Sequence, residues 1–135
     1  MLRNFRIEDA IALKTEQDRF DLWNDYALVS IAMTGFGSRL DCIFKKVYPP
    51  HEADHGALAL LAFRGVEFVG LQCKPPGDSL DVDEVGFKAR QDNDLGWLIQ
   101  EGQQDGSEDL IFRFGQAGHM RVKAAHAEIA GVGNV

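Results

Sequence analysis

Leu110-Ile111-Phe112-Arg113-Phe114-Gly115-Gln116-Ala117-Gly118-His119-Met120-Arg121-Val122-Lys123 is the stretch whose reading decides the fold. Residues two apart in a strand share a face, so Leu110, Phe112 and Phe114 point one way and Arg113 the other; on the return, Met120 and Val122 oppose Arg121 and Lys123. The pattern predicts a half-buried antiparallel hairpin. Its connection ends at Gly118, which suits a last loop position that needs positive φ. His119, Arg121 and Lys123 are expected to line one exposed face, where positive charge also deters edge aggregation.

The same signature recurs upstream. Val29, Ile31 and Met33 alternate with Leu28, Ser30 and Ala32, Thr34 to Ser38 supplies a turn, and Leu40, Cys42 and Phe44 return opposite Asp41, Ile43 and Lys45. Pro49-Pro50 ends that strand, because proline cannot donate to a ladder. From Ala57 to Phe63 the chain is nearly continuously apolar; a reversal is predicted at Arg64-Gly65, with a return through Val66, Phe68, Val69 and Leu71 to Cys73. Weaker strands are predicted around Val85 to Ala89 and Leu95 to Gln100. The first quarter is ambiguous between loose alternation (Phe5, Ile7, Ile11, Leu13) and a helical face, and Lys14 to Asn24 reads as a short surface helix or a long connection.

Together these segments predict a mainly β fold: an antiparallel meander of about seven or eight strands forming a twisted sheet or a sandwich. One short N-terminal helix would make it α+β. The 135 residues suit a single domain, with no internal repeat or linker, able to bury ~68% of its unfolded surface. Hydrophobic residues make up 45% and charged residues 26%, which excludes a disordered chain, and no apolar run approaches the ~20 residues of a membrane-spanning helix. The start, Met1 to Asp9, lacks the apolar region of a secretory signal, so a cytoplasmic location is expected. Cys42 and Cys73 form no C-x-x-C pair and are read as buried reduced thiols.

With 21 acidic and 14 basic residues the net charge is −7, which opposes nucleic-acid binding and favours approach of a basic protein. The acidic residues are densest at Asp78, Asp81, Asp83, Glu84, Asp92 and Asp94, the predicted partner-binding set. Asp81 to Gly86 resembles the start of a calcium loop, but Val85 at the fifth position, Lys88 at the eighth and Asp92 rather than glutamate at the twelfth break the pattern. Trp97, Phe87 and Phe36 are candidate apolar anchors if exposed.

His51-Glu52-Ala53-Asp54-His55 satisfies the H-E-x-x-H pattern of zinc hydrolases. Pro49-Pro50 before it and Gly56 after it leave barely two turns for the helix that chemistry requires, and a third ligand would have to come from Glu67, Glu84 or Glu101. A solvated loop is the better reading. No glycine-rich phosphate loop or serine nucleophile context occurs, and His126 with Glu128 reads as a surface pair.

Phe20-Asp21-Leu22-Trp23-Asn24-Asp25-Tyr26 leading into a strand, Leu60-Leu61-Ala62-Phe63-Arg64-Gly65-Val66 and Gly118-His119-Met120-Arg121-Val122 give the chain an organisation that resembles small immunity proteins of bacterial polymorphic toxin systems. The resemblance implies a cytosolic acidic protein that neutralises a toxin by occluding its active surface. The sequence thus points to a non-enzymatic protein-binding module for a basic partner, with no cofactor, metal, nucleic acid or membrane. The alternative is a small-molecule-binding or metal-dependent hydrolytic domain built on His51-Glu52-x-x-His55.

Overall fold

The computed structural model describes residues 1–49, 57–74, 77 and 79–132. Ten strands are formed among them: β1 (Leu2–Arg3), β2 (Arg6–Glu8), β3 (Ala12–Lys14), β4 (Arg19–Asp21), β5 (Tyr26–Thr34), β6 (Arg39–Lys46), β7 (Leu58–Cys73), β8 (Glu84–Lys88), β9 (Asp109–Arg113) and β10 (Gly118–Val132). The fold is mainly β, as the alternation predicts, and two short 3-10 turns are the sole helical segments described. The main sheet has the order β5-β6-β7-β10-β9-β8, and β1 runs parallel to the far part of β10. Two antiparallel meanders, β5-β6-β7 and β8-β9-β10, therefore meet along the β7–β10 ribbon.

That ribbon corrects the sequence reading. β7 does not turn back at Arg64-Gly65; it continues for 16 residues and pairs with β10 from Leu58↔Val132 to Gly118↔Cys73. What reads as a reversal is a phase break. Ala59, Leu61 and Phe63 face the core before Gly65, and Val66, Val69 and Cys73 do so after it, with an extra residue, Glu67, opposite the Lys123/Ala124 step. Gly65 takes φ +62 there, where a Cβ would crowd the Ala125 methyl at 2.9 Å. β6 pairs only with the first half of β7 and β9 only with His119 to Val122 at the start of β10, so the sheet is loaded at diagonal corners and folds over one core. Phe63 from one half meets Phe112 from the other edge to face, 6.5 Å between centroids.

In the N-terminal quarter the structure decides between the two readings for strands, and no helix forms there. β2, β3 and β4 make a separate three-stranded sheet. Asp9 and Ala10 both take positive φ at the β2–β3 turn, the geometry of a tight hairpin, and the Thr15 hydroxyl accepts bonds from the Gln17 and Asp18 amides to close the next one. The 95–100 segment forms no strand either. It crosses β8 as a loop, joined by paired bonds between Phe87 and Ile99.

A clamp fastens the N-terminus to this loop. Arg3 makes a two-pronged contact with Glu101 at 2.7 and 2.8 Å, and the Ile7 amide donates to the same carboxylate at 2.9 Å. Burial pushes the Glu101 carboxyl up, but the Arg3 guanidinium and the Ile7 amide outweigh it and bring the group down to about 2. A depressed carboxyl stabilises the fold above its unfolded value near 4.5 and stops doing so as pH falls through about 2. Glu101→Gln is expected to cost about 2 kcal/mol at pH 7 and to flatten the acid limb of urea-unfolding stability between those two pH values. An unchanged acid limb would refute the clamp.

Candidate protein-recognition surface

The predicted acidic set divides between the two ends of β8. On the lead-in, Leu80 and Val82 turn inward, so Asp81 and Asp83 project into solvent. Glu84, the first residue of β8, accepts from Arg113 at 2.7 Å, and Asp83 lies 3.8 Å from the same guanidinium. Asp92 and Asp94 follow the other end of the strand, roughly 13 Å away along β8. Asp78, like His51, Glu52 and His55, lies outside the described residues.

Beyond β8 the chain folds back across the outer face of the sheet. Register places Lys88 beside Asp109 and Ile111 beside Arg121, all on the face away from the main core. The expected exposed cationic row is therefore corrected at its centre, because Arg121 is buried. Its Nε donates to Asp109 at 3.3 Å, while Nη1 and Nη2 donate to the carbonyls of Asp92 and Ala89 at 3.2 and 2.7 Å. Arg90 donates to both oxygens of Asp109, to Oδ2 at 2.7 Å, which it shares with Arg121, and to Oδ1 at 3.0 Å, and it stacks 3.6 Å over the Phe68 ring. One buried carboxylate thus anchors two guanidiniums, and these hold the 89–94 turn on the sheet.

Lys88 completes the arrangement. It is 1% exposed, its Nζ donates to the Trp97 carbonyl at 2.9 Å, sits 3.2 Å from the centre of the Trp97 ring and lies 3.5 Å from Asp92. Asp92 accepts from the Asp94 amide, and Asp94 from the Gly96 amide, so each carboxylate stiffens the turn it occupies. The Asp94 amide, with the nearby Lys88, holds the Asp92 carboxyl below its usual range. On this frame Trp97 stands 55% exposed beside two aspartates.

Of the other predicted anchors, Phe36 is fully exposed at the β5–β6 turn, whereas Phe87 is core, its ring under Arg3 at 5.1 Å. Next to the Trp97 loop a groove of about 630 Å³ opens over Gly70, with apolar walls from Phe68, Leu71 and Leu95 and polar walls from Arg90, Asn93 and His119. Burial, with Arg121 nearby, pushes the His119 imidazole down. Both cysteines are free thiols; Cys42 is buried and its thiol is pushed up to about 12 by burial and Asp41, but Cys73 is half-buried rather than buried.

Among the described residues no cluster of three His, Cys, Asp or Glu side chains is placed to hold a metal ion. No helix is long and apolar enough to cross a membrane among them. The Lys88, Asp109 and Arg121 network escapes sequence reading, because period-2 alternation assigns these residues to an outer face and carries no sign that a distant loop covers it. No family model matches the chain, and no curated protein or solved structure matches it.

Proposed function

We propose that this protein is a non-enzymatic recognition module for a basic partner protein, with Trp97 as the apolar anchor and Asp92 and Asp94 as the orienting charges. The observation that carries the reading is the buried lysine beneath an exposed tryptophan. Burying an ammonium group is costly unless it is paired, and here the pairing fixes an aromatic side chain that contributes nothing to the core. A large ring held in place before contact loses little conformational freedom on binding, which is how a few aromatic residues come to dominate interface energies.

The charge supports a basic partner. A net −7 attracts a cationic surface over distances set by the Debye length, and Asp81, Asp83 and Glu84 extend the negative field past the other end of β8. Occlusion of a toxin by an immunity-type inhibitor is one form such recognition takes. The test is capture from a lysate of the native organism on the immobilised chain. A basic protein is expected to be retained at low salt, released as salt rises, and lost with Trp97→Ala, while Asp94→Lys slows association. Retention by Trp97→Ala equal to that of the parent, or insensitivity to salt, would overturn the reading.

A further inference from the structure

We propose that the groove over Gly70 binds a small organic carboxylate carrying a flat apolar ring, with the carboxylate held by Arg90, Asn93 and His119 and the ring laid against the outer face of the Arg90 guanidinium. This goes beyond recognition of a basic partner and stands without it.

The first observation is charge. In a chain with 21 acidic and 14 basic residues, this groove is lined by Arg90, Arg121, His119, Asn93 and Gln72 and by no acidic residue. Asp92 and Asp94 flank Asn93, but each accepts from an amide of its own turn. Glu67, which acts on Arg90 through space, and Lys123, opposite Phe68, carry opposite signs and lie outside the lining. Buried Asp109 sets one carboxylate against two guanidiniums. One positive charge is left over, which suits a monoanion.

The second observation is the state of the donors. Arg90 commits Nε and Nη2 to Asp109, which fixes the plane of its guanidinium, and Nη1 has no partner among the described residues. The Asn93 and Gln72 amides and the His119 imidazole also make no side-chain hydrogen bond among them. A few convergent polar groups on an otherwise apolar wall are what orients a small ligand. A guanidinium held at one edge is pre-organised to bind a carboxylate at another.

The third observation is shape. Phe68, Gly70 and Gln72 alternate onto one face of β7, and Arg121 and His119 of β10 stand opposite Gly70 and Gln72. A Cβ on Gly70 would meet the Phe68 ring at 3.2 Å, so the glycine lets that ring lie across the strand and leaves the floor of the groove open. Arg90 stacks on the same ring and its side chain is still 43% exposed. With Phe68 against one face and Asp109 along one edge, the opposite face is left to take a second ring, beside the apolar wall of Leu95. The volume of about 630 Å³ is that of a small-molecule site.

The experiment is titration of the intact chain with benzoate, phenylacetate and 2-naphthoate, followed by calorimetry and by the Gly70 amide and His119 imidazole resonances. At least one acid is expected to saturate with a dissociation constant below about 1 mM and to shift both resonances. Its neutral carboxamide is expected to bind at least tenfold more weakly. Asn93→Asp and Gln72→Lys change the charge of the lining at exposed positions whose side chains bond to nothing described, so the fold is kept. The first is expected to weaken binding about tenfold and the second to strengthen it several-fold. Saturation by none of the three acids, equal binding of the carboxamide, or affinity indifferent to both substitutions overturns the proposal. Inorganic phosphate bound as tightly as the acids overturns the assignment of a ring.

Discussion

Asp109→Ala is expected to destabilise the protein by about 3–5 kcal/mol, the cost of leaving a buried charge without its counter-ion. Asp109 is fully buried and is the one carboxylate shared by Arg90 and Arg121. Arg90 can swing its half-exposed guanidinium into water, but Arg121 is fixed beneath the 89–94 turn by its bonds to Ala89 and Asp92. The charge is left stranded at the latter. Removing both members is expected to cost less than removing Asp109 alone: Asp109→Leu with Arg121→Met replaces an ion pair by apolar volume and recovers a large part of the loss. Urea unfolding of the two singles and the double decides the matter. A single-variant cost below about 1 kcal/mol would mean that water, not Asp109, satisfies Arg121.

The same substitution connects stability to recognition. The turn pinned by Arg121 leads directly to Asp92, Asp94 and Trp97, so its loosening spreads into the residues proposed to meet the partner. Faster amide exchange across 89–97, with the β6–β7 amides unchanged, is the expected signature in a variant that still folds. Capture of the basic partner is then expected to fall with Asp109→Ala as it does with Trp97→Ala.

Local alternation carries most of the fold. The β5–β6 and β9–β10 hairpins are legible because their inward residues, Leu40, Cys42 and Phe44, or Leu110, Phe112, Met120 and Val122, sit strictly two apart and end in the buried core. Gly65 defeats the same logic. A bend that shifts the inward phase within a continuous strand and a turn that reverses the chain both put glycine between apolar runs, and only the partner strand, 60 residues away in β10, distinguishes them. The β2–β4 sheet is hidden for a related reason: strands of three residues are too short to establish a period. Of the recognition surface, the acidic residues and the three aromatic candidates are visible as types. Which of them stand on one frame depends on Lys88, whose role exists only once Trp97 lies over it.

Gly118→Ala is expected to be as damaging as the loss of Asp109, by a purely steric route. Gly118 opens β10 at φ 135 and ψ −148, a region that side-chain-bearing residues scarcely enter, at a cost of order 1–3 kcal/mol. A methyl group there also overlaps the carbonyl oxygen of Gln72 in β7, with Cys73 Cα only 3.0 Å away. Both neighbours are backbone of the paired strand, so neither can rotate aside, and overpacking adds about 1–3 kcal/mol more. Relief requires moving the start of β10, but the Phe114 amide bonds to the Gly118 carbonyl and the Lys74 amide to that of Ala117, so the whole corner resists together. Gly115, three residues earlier at φ +58 with no atom within 4 Å of a built methyl, supplies the control. Gly115→Ala meets only the left-handed backbone cost of about 1–2 kcal/mol. If urea unfolding ranks the two variants together, the close approach of Gly118 to β7 is not what holds the corner; a gap of 2 kcal/mol or more between them is the expected result.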